Sequence, residues 1–426
     1  MSYSTAGPSR LGGSAGGGTG NGSGNGSSTP VGKGVVVPLT YDLISSLKPA
    51  KQFKDAFGDS SPSTSFLSGA QNPHNITSLS FDDTGDRLVT ASNDDTFVLW
   101  DCRKGKKIKT LYSKKYGIDH VRFTHKPSTI LHASTKGDDH AIRYHSMHDN
   151  KYLAYFKGHT ARVRSIDMCP VDDTFITAGD DGTVRLWDIK SNICKGLIQD
   201  VGGSAIAAFD NLGLVFAVAC SDNQTIMLYA TAEADMGPFK FEPLNDVAFE
   251  SISQPPPKPI FTSLQFSNNG DYLLVGTSSD VHYVLDSITL LPLRRLVGHG
   301  GLERDKQGNK AVQPRRGNSG EEVSWTGDSN WVISGSADGN VLFWDLTRPA
   351  GEEKLSRDDV RDPDVDKSWY MRRIPEIQAK VLLRGNGGIS RAVKFNPRYS
   401  MMAVGGEDLT FWLPAKDEDA KIQEGW

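Results

Sequence analysis

The sequence predicts an all-β protein, a seven-bladed β-propeller preceded by a disordered Gly/Ser-rich N-terminal tail. Three observations lead there. From about residue 38 onward, apolar or alternating runs of strand length recur between polar turns, and long amphipathic helical stretches are nearly absent. Three segments repeat one another openly: residues 87–101 (RLVTASNDDTFVLWD), 174–188 (TFITAGDDGTVRLWD) and 330–345 (NWVISGSADGNVLFWD). Fainter copies fill the gaps, ending near Tyr144, Tyr229, Leu285 and Trp412.

Each copy reads as a strand, an Asp-containing turn, a second strand and a closing aromatic or apolar residue. The aligned positions are 100, 144, 187, 229, 285, 344 and 412, and the first three spacings are 44, 43 and 42 residues. That is the period of WD40 blades, each a four-stranded antiparallel sheet. The later spacings are longer, so those units carry insertions at 232–258, 300–320 and 349–378. Blades bury their faces against one another, so residues 35–415 are expected to form one domain despite their length. Residues 1–34 include 12 glycines and almost no apolar area to offset their ordering entropy. The seventh copy is followed only by a short polar tail, 416–426, which leaves its blade one strand short. Residues 35–57, with Ser46–Ala56 as the pairing segment, are expected to supply that strand from the other end of the chain. The clasp would remove two exposed sheet edges.

Composition narrows the function. Lys plus Arg number 47 against 51 Asp plus Glu, a net charge of -4. Such a balance argues against wholesale coating of nucleic acid or an anionic membrane, so no direct nucleic-acid binding and no membrane contact are expected. No apolar run approaches the roughly 20 residues of a membrane span, and the N-terminus shows no secretory leader. Four scattered cysteines (102, 169, 194, 220) with no C-x-x-C pair fit a reducing compartment rather than a disulfide or zinc framework. Gly12-Gly13-Ser14-Ala15-Gly16 spells a nucleophile elbow, but it lacks the strand and helix that the motif needs. There is no phosphate loop and no H-E-x-x-H metal motif. No enzyme activity, cofactor or metal is therefore expected.

The residues that stand out have architectural uses first. His159, Thr177, Asp181 and Trp187 have the spacing of a hydrogen-bonded tetrad inside a WD40 blade, where a buried indole and imidazole need polar partners. Blade 1 keeps Thr90, Asp94 and Trp100, and blade 6 keeps Ser334, Asp338 and Trp344. Six histidines (120, 125, 132, 140, 145, 148) fall in blade 2, spread over several strands and turns rather than at ligand spacing. Trp100-Asp101-Cys102-Arg103 matches the W-D-x-R pattern of substrate receptors in cullin-type ubiquitin ligases, which is the alternative reading of function. A third reading, an enzyme built in the central funnel, would need titratable groups converging there. Lys114, Lys115 and Tyr116 leave blade 1 toward blade 2, and Arg162 and Arg164 enter blade 3. Blade entries crowd the narrow face of a propeller, so these five are the expected contacts for an acidic or phosphorylated peptide. Asp358, Asp359, Asp362, Asp364 and Asp366, followed by Trp369 and Tyr370, read first as a solvated surface loop, with a docking loop as the functional alternative.

Several stretches resemble one family in particular. Residues 111–117 (LYSKKYG), 146–159 (SMHDNKYLAYFKGH), 168–198 (MCPVDDTFITAGDDGTVRLWDIKSNICKGLI), 235–239 (DMGPF) and 411–414 (FWLP) are similar to the WD-repeat subunit shared by the COMPASS histone methyltransferase complex and, in fungi, the cleavage and polyadenylation factor. The likeness spans roughly residues 38–415. It implies a non-catalytic nuclear scaffold acting on chromatin. The partners it implies are the N-terminal region of the SET-domain methyltransferase, other COMPASS subunits, cleavage and polyadenylation factor subunits including a protein phosphatase, and the phosphorylated tail of RNA polymerase II. The roles it implies are histone H3 lysine methylation, mRNA 3′-end processing and transcription termination. The Gly-rich tail and the insertions at 300–320 and 349–378 depart from the family pattern.

Overall fold

The computed structural model describes residues 38–54, 56–58, 74–244, 246, 260–301, 320–347, 357–362, 364, 366–367, 371, 374–385 and 388–415. The tail 1–34, the segment 416–426, nearly all of 300–320, and Trp369 and Tyr370 lie outside these residues. The described strands form seven sheets, antiparallel throughout except for one added strand in blade 5. Blade 1 runs from Ile76–Phe81 through Arg87–Ser92 and Thr96–Asp101 to Lys106–Tyr112, inside to outside. Blades 2 to 5 begin at the inner strands Asp119–Phe123, Val163–Met168, Ala205–Phe209 and Phe261–Phe266, and blade 6 at Val323–Trp325. Blade 7 orders Ala392–Phe395, Met402–Gly405 and Leu409–Pro414 from the centre outward. Successive inner strands pack on one another, and Ala392–Phe395 packs on Ile76–Phe81, so the ring closes.

The core lies between the blades rather than within any one of them. Seven apolar clusters each join two neighbours, for example Ile176, Val184 and Leu186 of blade 3 with Phe216 and Val218 of blade 4. Alternation along each strand sends side chains to opposite faces, and both faces are covered by the adjacent sheets. This is why strands such as Phe261–Phe266 and Val281–Asp286 are buried on both faces.

The last blade takes its outer strand from the start of the domain. Leu47–Phe53 pairs antiparallel with Leu409–Pro414, from Leu47 opposite Pro414 to Phe53 opposite Leu409, with a register shift between Pro49 and Lys51. Proline has no N–H to donate, and the irregularity at Pro49 accommodates it. Phe53 lies 4.5 Å from the Trp100 ring and 5.2 Å from Phe411, tying blade 1 to blade 7. Just upstream, Thr40 caps the short helix Tyr41–Ser45, and the Leu39 carbonyl accepts the Trp331 indole N–H at 2.9 Å. The joint therefore reaches blade 6 as well.

Two insertions contain structure that periodicity misses. Within 232–258, Lys240–Pro243 is the outer strand of blade 4, reached through the 3-10 turn Thr231–Met236. Within 349–378, a short helix Arg357–Arg361 and a strand Glu376–Gln378 fold back on blade 5. That strand adds a fifth member, parallel to Pro292–Val297. Val360 is buried against Leu291 and Leu293, and Arg361 pairs with the fully buried Asp286 at 2.8 Å. The described part of this insertion is thus a strap over blade 5.

Candidate functional site

The polar groups of blade 3 are arranged to hold the sheet. Trp187 Nε1 donates to Thr177 Oγ1 at 2.8 Å, and Thr177 Oγ1 lies 2.8 Å from His159 Nε2. His159 Nδ1 lies 2.9 Å from Asp181 Oδ2, which also accepts the Thr160 N–H at 3.0 Å. The network fits the Nδ1–H tautomer, with the threonine hydroxyl donating to Nε2. Burial raises the Asp181 carboxyl, but the hydrogen bonds from His159, Thr160 and Thr183 outweigh it and hold the group well below the usual carboxylate range. All of these partners are used internally, which is the arrangement of a staple.

Blade 1 keeps part of this arrangement. Trp100 Nε1 donates to Thr90 Oγ1 at 3.0 Å, while Asp94 accepts the Gly58 N–H at 3.0 Å and the Thr96 hydroxyl at 2.6 Å. Blade 6 departs from it. Trp344 gives its N–H to the Val297 carbonyl at 2.9 Å, and Ser334 instead meets His282 of blade 5 at 3.0 Å. Asp338 accepts from Asn340. Ser334, Asp338 and Trp344 therefore do not form the set that their spacing suggests. His299, which precedes blade 6, stacks on His282 at 4.0 Å and meets Trp344 edge-on at 5.7 Å.

The rim between blades 1, 2 and 3 carries a cavity of about 430 Å3, lined by Asn93, Asp95, Asp119, Lys136, His140 and Arg162, among others. Lys114 and Lys115 are exposed beside it, on the turn that joins blade 1 to blade 2. The Tyr116 carbonyl accepts the N–H groups of Thr135 and Lys136 at 2.9 and 3.0 Å, and the Lys136 ammonium reaches the Lys114 carbonyl at 3.2 Å. Lys136 also pairs with Asp95. The Tyr116 face is occupied by the Arg143 guanidinium, 3.6 Å from its centroid, with Tyr152 and Tyr155 around the same group. The neighbouring Lys115 ammonium lowers the Tyr116 phenol below its ordinary range.

Arg162 faces the same cavity with Asp119 at 2.8 Å. Arg164 does not: it pairs with Asp180 at 3.0 Å and lines the central channel. The structure thus brings four of the five expected contacts to one rim and sends the fifth elsewhere. Both arginines already hold a carboxylate, a feature that spacing alone gives no sign of.

Arg103, the last residue of the W-D-x-R pattern, is engaged with blade 7. Its Nε lies 2.6 Å from Asp86 Oδ1, and its Nη2 lies 2.7 Å from the Tyr399 hydroxyl. The blade 2 histidines are dispersed. His132 and His145 are buried beside each other, His125 bonds the Cys169 carbonyl, and His140 is at the rim. Among the described residues, no group of three or more His, Cys, Asp or Glu is placed to hold a metal ion.

Comparison with known proteins agrees with this architecture. The family model described as "WD domain, G-beta repeat" matches residues 61–101, 150–188 and 321–345. The chain is 35% identical over 348 residues to "WD repeat-containing protein 82" of Drosophila melanogaster, covering 82% of this chain and 93% of that protein. It is 32% identical to the "Set1 complex component swd2" of Schizosaccharomyces pombe, covering 88% of this chain and 99% of the relative. It is also 32% identical to the "COMPASS component SWD2" of Saccharomyces cerevisiae, over 79% of this chain and 90% of the relative.

Proposed function

The chain belongs to the family of WD repeat-containing protein 82 and the Set1 complex component swd2, and from that membership we propose that it is a scaffold subunit of a nuclear, Set1-type (COMPASS) histone H3 lysine methyltransferase complex. The observation that carries the reading is the extent of the likeness. It covers nearly the full length of relatives named as components of that complex, rather than the blade motifs alone. The polar groups of blades 1 and 3 are engaged in holding the ring together, which suits a protein whose rim is presented to other chains.

In this reading the rim between blades 1, 2 and 3 receives an extended segment from the N-terminal region of the SET-domain methyltransferase. Lys114 and Lys115 attract an acidic or phosphorylated stretch, and the cavity beside Arg162 and Lys136 takes a side chain. Tyr116 acts indirectly, by fixing the turn against Arg143. The same surface would serve a second assembly, the cleavage and polyadenylation factor with its phosphatase, and would couple methylation and 3′-end processing to transcribing RNA polymerase II.

The test is affinity purification of the tagged full-length chain from nuclear extract, with identification of what accompanies it. Methyltransferase subunits are the expected result, with polyadenylation subunits as a second set. Recovery of a cullin-ligase adaptor in their place would overturn the proposal.

A further inference from the structure

The centre of the ring contains a second cavity, of about 280 Å3, whose wall includes His120, Arg122, Arg164, Asp167, Thr262 and Lys394. Several inner strands contribute to it, and the strand of blade 2 is irregular at this point. Its pairing register shifts between Asp119 and Arg122, and His120 sits at φ +49°, a left-handed conformation that costs a residue with a bulky side chain. Bulges of this kind re-aim a side chain.

The His120 side chain is buried, and neither ring nitrogen has a hydrogen-bond partner among the described residues. The Asp119 carboxylate lies 3.8 Å from Nε2, beyond hydrogen-bond reach, and is held by Arg162 at 2.8 Å. Burial pushes the imidazole down to about 4, so at neutral pH it offers one donor and one acceptor. An unpartnered buried ring on a strained backbone carries two unfavourable contributions at one cavity wall.

Three cations line this wall, and three carboxylates stand against them. Arg122 Nη1 lies 2.5 Å from one oxygen of the buried Glu321, and Lys394 Nζ lies 3.1 Å from the other, so two cations share a single carboxylate. Arg164 contributes a third cation, paired with Asp180. Asp167 accepts the Phe209 N–H at 2.9 Å, and burial pushes its carboxyl up.

We propose that this channel cavity binds the phosphate group of a small molecule. Phosphate oxygens would accept from Arg122, Arg164 and Lys394, and a protonated oxygen would donate to Asp167. At roughly 30 Å3 per water in the liquid, the cavity has space for a phosphate and several waters. The site is distinct from the rim, so its failure would leave the scaffold reading untouched.

The test uses the full-length chain in chloride buffer at constant ionic strength. It is titrated separately with inorganic phosphate, with a small phosphate ester and with a phosphoserine peptide, and followed by 31P NMR and thermal melting. Saturable binding of free phosphate or the ester, with a rise in Tm, is expected, and the peptide should give none. Arg122→Met and Lys394→Met should each weaken binding at least about tenfold. Phosphate should also shift the ring 15N signals of a buried histidine in the unmodified protein, a readout that needs no variant to fold. Three outcomes would each overturn the proposal: no saturable binding by roughly 10 mM, undiminished binding in both variants, or binding of the peptide alone.

Discussion

Replacing Thr177 by valine tests the blade 3 staple with almost no change of shape. The hydroxyl accepts the Trp187 N–H and lies within hydrogen-bond distance of His159 Nε2, both at 2.8 Å, and the threonine is fully buried. Valine leaves two buried polar atoms without a partner, each costing about 1–3 kcal/mol, so the expected loss is about 2–6 kcal/mol. Ser334→Ala in blade 6 is the control. There the Trp344 N–H goes to the Val297 carbonyl, so the contact with His282 and the donation to the Gly335 carbonyl are lost but the indole keeps its partner, and about 1–3 kcal/mol is expected. Urea unfolding of both variants by circular dichroism, with the m-value checked for constancy, reads the difference. A Thr177→Val cost below about 1 kcal/mol, or equal costs at the two sites, would refute the assignment of these networks.

Phe53→Ala should destabilise the protein by about 3–5 kcal/mol in the same assay, because the ring fills the joint between Trp100 and Phe411 where the chain ends meet. Acid should weaken the fold through its buried histidines. Burial lowers His132 to about 3 and His145 to about 4, so the unfolded chain binds these protons first. That contribution to stability is complete above pH 6.5 and is lost as pH falls toward 4, by about 2 kcal/mol per histidine at pH 5. Glu322 works in the opposite sense, since burial pushes its carboxyl up to about 7 and its contribution is lost as pH rises through that value. His132→Phe should therefore reduce the stability difference between pH 7 and pH 5 by about 2 kcal/mol, measured by urea unfolding at both values. Reversing Lys114 and Lys115 to glutamate should weaken capture of an acidic partner segment by about tenfold at low salt, with a melting temperature unchanged, as measured by fluorescence anisotropy.

The legible parts of the sequence were those where chemistry and period coincide. Trp100 and Trp187 follow a threonine by ten residues, and each indole N–H meets that hydroxyl, so spacing and hydrogen bond are one fact. Blade 6 has the same spacing between Ser334 and Trp344, yet the indole turns to the Val297 carbonyl, which depends on the backbone preceding the blade. The incomplete seventh repeat marked a vacancy, and the strand that fills it, Leu47–Phe53, ends on the aromatic residue that closes the joint. Short strands escaped notice. Lys240–Pro243 alternates over only four residues, and Glu376–Gln378 over three, too few for a period to register. His120 stood out only as one of six histidines in blade 2, since its surroundings arise from a bulge and from charges on blades 3, 6 and 7 that converge only in the ring. The carboxylate partners of Arg162 and Arg164 were hidden for the same reason. Asp119 is 43 residues from Arg162 in the chain.

The central claim is that the ring serves as a scaffold for a SET-domain methyltransferase. Co-expression of the full-length chain with the N-terminal region of that methyltransferase from the same organism, followed by size-exclusion chromatography with light scattering, measures it directly. A co-eluting complex of defined mass that is lost on charge reversal of Lys114 and Lys115 is the predicted result. Separate elution of the two chains at micromolar concentration, which means binding weaker than about -8 kcal/mol, would contradict the account.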